Sequence, residues 1–174
     1  MKKTISILMF LMLFLQARSQ SVSIESIRIN NTISYSIHLS NLLKSDLTID
    51  SITKVPKIMD ASQADSLVYI GETYFEYNYN SKICQLKMVI FDNKVVTISI
   101  GKNILSAKTT FQDLTMMFPI DCKLTKAISI YGEKNPYETC SVGVTDGKGN
   151  LWDMRIVFFL QDDILTRVDF WEPV

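Results

Sequence analysis

Two stretches of this chain alternate apolar and polar side chains, and this alternation restricts the fold more than any other feature of the sequence. Residues 84–90 carry it in the first half of the chain, and residues 152–158 carry it in the second. Successive side chains of a β-strand point to opposite faces, so each stretch predicts a strand with one buried face. The side chains expected to face the core are Cys84, Leu86, Met88 and Ile90 in the first strand and Trp152, Met154, Ile156 and Phe158 in the second.

The alternating stretches follow two short segments that resemble one another. Residues 48–53 and 110–115 each read Thr-apolar-x-x-apolar-Thr, and a proline follows soon after each of them, at Pro56 and Pro119. Threonine is a common N-cap, and apolar residues three positions apart share one face of a helix. Each segment therefore predicts a short helix that the proline terminates.

After each predicted helix comes an alternating strand and then a second apolar strand, an order typical of a β-hairpin. We place three-residue loops at residues 92–94 and 161–163, because facing residues of a hairpin must share one face of the sheet. We interpret the whole as two copies of a helix–β-hairpin unit, approximately residues 32–101 and 95–172. Chance similarity between two such segments is the alternative.

The chain opens with another predicted hairpin, in which residues 22–29 and 33–39 flank a turn at Asn30-Asn31. The other predicted strands are residues 69–79 and 141–145. The prediction is an α+β fold, in which short helices pack on a mainly antiparallel sheet. No linker-like composition interrupts residues 20–174, so we predict one domain there.

The first 19 residues predict a cleavable signal for export. Two lysines at residues 2–3 supply a positive start, and an apolar run over residues 5–15 follows. The tripeptide Ala17-Arg18-Ser19 then places small residues three and one positions before a cut that precedes Gln20. A membrane anchor is the alternative, but a spanning helix needs about 20 apolar residues, roughly twice the length of this run.

Removing the signal changes the charge of the chain. It takes away three of the 18 basic residues and none of the 18 acidic ones, so the net charge falls from zero to −3. Nucleic-acid binding needs a basic surface, and this composition argues against it. We therefore expect a periplasmic or secreted protein, without a transmembrane segment in its mature form.

The three cysteines predict one disulfide and one buried thiol. In the repeat, Cys84 corresponds to Trp152 at a core-facing position, where a thiol acts as a small hydrophobic group. Cys122 and Cys140 lie in the second copy only, and their joint absence from the first copy suggests that they are bonded to each other. Such a bridge stabilises the fold by roughly 3 kcal/mol on the chain-entropy model. Three reduced thiols are the alternative, which an oxidising compartment disfavours.

The sequence contains no constellation of residues that predicts catalysis. His38 is the only histidine, and a cysteine–histidine pair would need a reactive thiolate beside it. No spacing of His and Cys matches a zinc site. Residues 146–150 are similar to the start of a calcium loop, but Val157 stands where that loop needs a bidentate glutamate. These residues therefore predict a hairpin turn. We therefore predict a noncatalytic protein that binds no metal or cofactor.

One face of the second predicted hairpin carries the candidate functional surface. The predicted register pairs its residues as Arg155–Asp169, Val157–Arg167 and Asp153–Trp171, with Leu165 on the same face. Arginine and tryptophan are common in the hot spots of protein interfaces. The candidate interface residues are Arg155, Arg167, Asp169 and Trp171. The alternative is a solvated sheet face on which a loop or the C-terminal tail covers Trp171.

The order of helix and hairpin strands, present twice in a small exported protein, resembles the tandem arrangement of the β-lactamase inhibitor proteins. It is also similar to the single unit of the SmpA/OmlA envelope lipoproteins. The stretches that carry the resemblance are residues 48–56 with 74–100 and residues 110–119 with 142–171. The lipid-attachment cysteine of SmpA/OmlA is missing from this chain. The resemblance implies a protein-binding role for the sheet face, without catalysis.

Three functional hypotheses follow from the sequence. The first is an exported, noncatalytic protein that binds another protein, as an inhibitor, an immunity-type protein or an envelope-assembly factor. The second is a periplasmic carrier of a small molecule or lipid, and the third is an enzyme that uses His38 or a cysteine. The carrier hypothesis places a cavity between sheet and helices, lined by Met88, Met116, Met117 and Phe118.

Overall fold

The computed structural model describes residues 20–56, 64–130, 132 and 135–172. The predicted export signal, residues 1–19, lies outside the described residues. Of the described residues, 52% lie in strands and 10% in helices. The predicted α+β fold of two helix–β-hairpin units is therefore wrong, because the described chain is mostly β and contains one large mixed sheet, one small sheet and two short α-helices.

The strands in the first part of the described chain are β1 (Ser21–Ser23), β2 (Ile27–Ile29), β3 (Ile33–Ser34), β4 (Ser36–His38), β5 (Ser51–Lys54), β6 (Ser66–Ile70) and β7 (Thr73–Asn78). The remaining strands are β8 (Ile83–Ile90), β9 (Thr97–Ile100), β10 (Asn103–Ser106), β11 (Lys126–Ile128), β12 (Tyr137–Thr145), β13 (Leu151–Gln161) and β14 (Ile164–Trp171). The helices are α1 (Leu39–Leu42) and α2 (Phe111–Met117), and a 3₁₀ turn spans Ile24–Ser26.

Ten strands form the large sheet. Eight of them follow one another in the order β1-β12-β13-β14-β8-β7-β6-β5, while β11 pairs with β12 and β4 pairs with β8. The pairing of β1 with β12 is parallel, and the other pairings in this sheet are antiparallel. The small sheet has the order β10-β9-β2-β3. Because β14 pairs with β8, the two halves of the chain share one continuous sheet.

A single hydrophobic core contains buried residues of both sheets. Tyr35 connects them, because its main-chain N donates to Ile27 O of the small sheet at 3.2 Å, its ring lies 5.1 Å from that of Phe170 in β14, and its hydroxyl donates to Met154 Sδ at 3.4 Å. Phe118, directly after α2, stacks on Phe158 of β13 with 5.4 Å between the ring centroids. These contacts define the inner face of the large sheet, and we refer to the opposite side as the outer face.

The helix predicted at residues 48–53 is wrong. Strand β5 occupies this segment and pairs with β6, so that Ile52 lies opposite Val68. All four residues of β5 are exposed. A short helix needs a buried apolar stripe for its stability, and this segment has none, so its backbone pairs with the edge of the sheet instead.

The second predicted helix, at residues 110–115, is confirmed. The Thr110 hydroxyl accepts a hydrogen bond from Asp113 N at 3.1 Å, and the Asp113 carboxylate accepts one from Thr110 N at 2.9 Å. This reciprocal pair is a capping box, which satisfies two main-chain N–H groups at the start of a helix. Leu114 of the same turn is fully buried in the core.

The hairpin predicted around residues 92–94 is wrong as well. Strand β8 pairs with β4, β7 and β14 in the large sheet, whereas β9 pairs with β2 and β10 in the small one. The Asp92 carboxylate accepts main-chain hydrogen bonds from Lys94 and Val95, both at 2.7 Å. This turn therefore leads the chain from one sheet to the other. The strand predicted at residues 69–79 is also interrupted, by a turn at Gly71 that separates β6 from β7.

The structure confirms the turns that were predicted from asparagine and aspartate. Asn30 and Asn31 have φ values of 47° and 60° and join β2 to β3. The Asp146 carboxylate accepts hydrogen bonds from Lys148 N and Asn150 N, at 2.9 and 2.8 Å. Both residue types support such turns, because their side chains bond to the local backbone and tolerate a positive φ.

The two core positions that the repeat predicted to be equivalent differ. Cys84 is fully buried as a free thiol, as predicted. Trp152 is 40% exposed, so its predicted place in the core is wrong. It lies at the start of β13, where the pairing with β12 shifts between Gly143 and Thr145. The residues that lie in this irregular stretch do not keep the alternation of the rest of the strand.

Candidate functional site

Residues 156–160 of strand β13 are buried on both faces of the large sheet. Ile156 and Phe158 lie in the inner core, whereas Val157 and Phe159 lie on the outer face and are only 7% and 6% exposed. A groove of about 710 Å³ runs along this part of the outer face, and we name it the outer groove. Its apolar side chains are Leu124, Ile128, Ile130, Val157, Phe159 and Trp171, and its charged side chains are Asp121, Lys126, Arg155, Arg167 and Asp169.

The wall of the outer groove is formed by residues 121–130, which are attached to the sheet at two points. Cys122 and Cys140 are the predicted pair, and they lie at disulfide distance with their Cα atoms 5.2 Å apart. Further on, β11 pairs with β12, where Thr139 Oγ1 donates to Lys126 O at 2.9 Å. Between and beyond these attachments the wall exposes apolar side chains, with Leu124 77% exposed and Ile128 41% exposed.

The floor of the outer groove is centred on Phe159. The ring of Tyr137 meets it edge-on, with 5.6 Å between centroids, and the Arg167 guanidinium carbon lies 5.0 Å from its centroid. An arginine over an aromatic face is attracted to the ring while its apolar stem covers it. The floor is therefore preorganised by contacts within the protein.

The register of the β13–β14 hairpin differs from the predicted one. Its loop has two residues, Asp162 and Asp163, with φ values of 50° and 67°, rather than three. A bulge between Phe159 and Leu160 follows, and the partners therefore shift by two residues. The observed pairs are Arg155–Trp171, Val157–Asp169 and Phe159–Arg167. Two residues with positive φ make the turn whose twist suits a two-residue hairpin.

Arg167 and Asp169 form an ion pair along one strand. Arg167 Nε donates to Asp169 Oδ1 at 2.7 Å, and Arg167 Nη2 donates to Asp169 Oδ2 at 2.6 Å. Burial raises the pKa of the Asp169 carboxyl, and the hydrogen bonds from Arg167 act in the opposite direction. A bidentate pair of this kind fixes the orientation of both groups. Both carboxylate oxygens of Asp169 are therefore already hydrogen-bonded to Arg167.

Arg155 is held against the neighbouring strand rather than against Asp169. Its Nε donates to Ser141 Oγ at 2.9 Å and its Nη2 donates to Ser141 O at 3.0 Å. Its Nη2 also lies 3.8 Å from Asp121 Oδ1. The Arg155 side chain is 44% exposed, so a fixed guanidinium borders the groove and remains accessible from solvent.

The outer groove brings together the four candidate interface residues, because Arg155, Arg167, Asp169 and Trp171 all line it. Trp171 is 60% exposed. Leu165, which was expected on the same face, is instead fully buried opposite Leu160, because the bulge turns it inward. Their role as an interface with a partner stays a prediction.

The other residues singled out from the sequence lie elsewhere. His38 is exposed at the end of β4. Burial raises the pKa of the Cys84 thiol to about 11, which keeps it protonated and weakly nucleophilic at neutral pH. The residues expected to line a carrier cavity do not share a surface, since Met116 is 67% exposed whereas Phe118 is fully buried.

Sequence reasoning missed the wall of the outer groove. Asp121, Leu124, Lys126 and Ile128 were not among the candidates, although two signals pointed to this segment. The alternation of Ile128 and Ile130 with polar neighbours is typical of a strand. The uninterrupted apolar run over residues 156–160 is typical of a strand that is covered on both faces, and such a strand requires a second covering segment.

The described residues contain no group of three or more His, Cys, Asp or Glu side chains placed to hold a metal ion. In the same part of the chain, no helix has the length and apolar character needed to cross a lipid bilayer.

No protein-family model matches this chain, and no curated protein or solved structure matches it either. The resemblance to the β-lactamase inhibitor proteins and the SmpA/OmlA lipoproteins therefore stays a prediction.

Proposed function

We propose that this is an exported, noncatalytic protein that binds another protein through the outer groove. Export rests on the predicted signal at residues 1–19, and the Cys122–Cys140 pair supports it, because disulfides persist in oxidising compartments. The observation that carries the binding role is the outer groove itself. It combines an exposed tryptophan, an accessible arginine and exposed aliphatic side chains on a floor that is already rigid.

The occupant that fits best is an extended protein segment that carries apolar side chains and a carboxylate. The apolar side chains would cover Leu124 and Trp171, which are the two most exposed apolar side chains of the groove. Arg155 and Lys126 attract a negative charge there, whereas Asp169 is already bonded to Arg167. Complementary charge of this kind contributes to specificity and to the rate of association.

A carrier of a small molecule or lipid is the second candidate, because a groove of about 710 Å³ has the volume of a ligand pocket. Such pockets bury most of the surface of their ligand. In the outer groove, the side chains of Leu124 and Trp171 are 77% and 60% exposed, so a small ligand would leave them largely in water. A protein partner would cover them, and we therefore favour protein binding.

A crosslinking experiment followed by a titration tests the proposal. A photoreactive residue at position 171 should crosslink an envelope protein in cells that export this chain, and the purified partner is then titrated against variants. We expect Arg155→Glu with Trp171→Ala to weaken binding by about 100-fold, which corresponds to two hot-spot side chains.

The matched control changes the same kinds of side chain away from the outer groove. Leu43→Ala with Lys44→Glu alters an exposed apolar residue and an exposed lysine beside α1, and it should leave the affinity unchanged. If the double variant at Arg155 and Trp171 keeps both its melting temperature and its affinity, the outer groove is not the binding surface. A small molecule found by native mass spectrometry, lost only in the groove variant, would favour the carrier instead.

A further inference from the structure

The residue before β1, Gln20, is held through both of its nitrogen atoms. Its main-chain N donates to Asp121 Oδ2 at 2.8 Å, and its side-chain Nε2 donates to Met117 O at 3.0 Å. The Asp121 side chain is only 9% exposed, and its second oxygen, Oδ1, lies 3.8 Å from Arg155 Nη2. The start of the described chain is therefore fastened to a nearly buried carboxylate at the border of the outer groove.

The surrounding structure fixes this position from two sides. Strand β1 pairs in parallel with β12, beginning at Ser21 opposite Gly143. Cys122, the residue after Asp121, lies at disulfide distance from Cys140 in the same strand β12. Gln20 and Asp121 thus both precede residues that are attached to one strand, which brings the two residues close together.

The sequence places the predicted signal cut directly before Gln20, and we propose that this cut creates an ion pair between the new N-terminus and Asp121. This inference rests on the export that we propose above. Hydrolysis of the Ser19–Gln20 peptide bond consumes one water, which leaves a carboxylate on Ser19 and an amine on Gln20 that is protonated at neutral pH. The nitrogen that donates one neutral hydrogen bond before cleavage becomes an ammonium group with three donors.

Two features of the site suit an ammonium group better than a peptide N–H. A carboxylate as buried as that of Asp121 requires strong partners, and a hydrogen bond from a charged donor is roughly twice as strong as one from a neutral donor. In addition, Gln20 Oε1 is a buried oxygen without a hydrogen-bond partner among the described residues. An ammonium group supplies additional donors at this place. The mature N-terminus then contacts a residue of the groove wall, because Asp121 lines the outer groove.

The first measurement establishes the cut. The full chain is exported from a bacterial host with its own signal, and the mature protein is sequenced from its N-terminus. We expect Gln20 as the first residue. Intact mass then verifies that Gln20 has not cyclised with loss of ammonia, which would remove the positive charge. A different first residue would overturn this inference, but it would not affect the outer groove as a binding surface.

The second measurement tests the ion pair through a cycle of four proteins. The mature chain that begins at Gln20 is compared with the same chain preceded by Gly-Ser, each with Asp121 and with Asp121→Asn. We expect the extension to lower the melting temperature by about 3 °C when Asp121 is present and by less than about 1 °C in the Asp121→Asn background. The control Asp46→Asn removes an exposed carboxylate elsewhere, and in it the extension should still lower the melting temperature by about 3 °C.

The cycle separates the two levels of the proposal. If Gln20 is the first residue but the extension lowers the melting temperature equally in both backgrounds, the N-terminus does not form an ion pair with Asp121. The proposal of export is not affected by that result. If the extension has no effect with Asp121 present, the ion pair is also wrong.

Discussion

Residues 48–53 and 110–115 have the same pattern of threonines and apolar residues, yet the first contains a strand and the second a helix. The two segments differ at both polar positions between the threonines, and the second of these positions decides the capping. Asp113 completes a capping box with Thr110, whereas the equivalent residue in the first segment is Ser51. They also differ in burial, because Leu114 is fully buried and Ile52 is 49% exposed.

This difference shows how little a six-residue pattern determines. Isolated short helices are marginal in water, because their nucleation fixes many dihedral angles for few hydrogen bonds. The second segment becomes a helix because its cap satisfies the first N–H groups and Leu114 packs in the core. The first segment pairs with β6 at the end of the large sheet, where four residues gain a ladder of hydrogen bonds.

The largest expected effect comes from truncating the equivalent apolar residues. Leu114→Ala should lower the free energy of unfolding by about 2–5 kcal/mol, because it leaves a cavity in the core. Ile52→Ala, at an exposed position of an edge strand, should change it by less than about 0.5 kcal/mol. Urea unfolding of both variants measures this contrast. Similar losses in the two variants would mean that the segments are equally buried, contrary to the fold described above.

A smaller effect is expected from the two threonines that begin the segments. Thr110→Ala removes the N-cap of α2 and should cost about 1 kcal/mol, or a decrease of about 2–4 °C in melting temperature. Thr48→Ala changes an exposed residue that precedes β5, and we expect almost no shift. Thermal unfolding followed by circular dichroism compares them. A marked decrease for Thr48→Ala would show that the first segment also depends on a cap.

The smallest effect concerns pH. The hydrogen bonds from Thr110 hold the pKa of Asp113 below its ordinary value of 3.8. A lowered pKa in the folded state gives stability that is present above the unfolded pKa and is lost as the pH falls through the folded pKa. We therefore expect the melting temperature of Asp113→Asn to decrease less than that of the unmodified protein when the pH is lowered from 5 to 3.

Ser51→Asn is the matched control for this pH effect, because it changes the equivalent position of the first segment without removing a titratable group. Its loss of melting temperature on acidification should equal that of the unmodified protein. Parallel acid profiles for all three proteins would contradict a contribution of Asp113.

The candidate site was predictable in part, for a physical reason. Alternation along β14 places Arg167, Asp169 and Trp171 on one face, whatever the register. The predicted and observed registers differ by two residues, so both place Arg155 of β13 on that face, and the four candidate residues do line one groove. The pairs across the hairpin were wrong, because the loop length depends on whether Asp162 and Asp163 both adopt a positive φ. Residue patterns alone leave that choice open, and each alternative moves every cross-strand partner.

The sequence by itself determined several local features of this protein. Alternation predicted strands, Asn and Asp predicted turns, Thr110 predicted a helix start, and the distribution of cysteines predicted the pair that the fold brings to disulfide distance. Only the tertiary structure decided which strands are neighbours, which sheet each one joins and what covers the outer face of β13. Those choices depend on contacts between residues far apart in the chain, and their free energies exceed the small preference of any short segment.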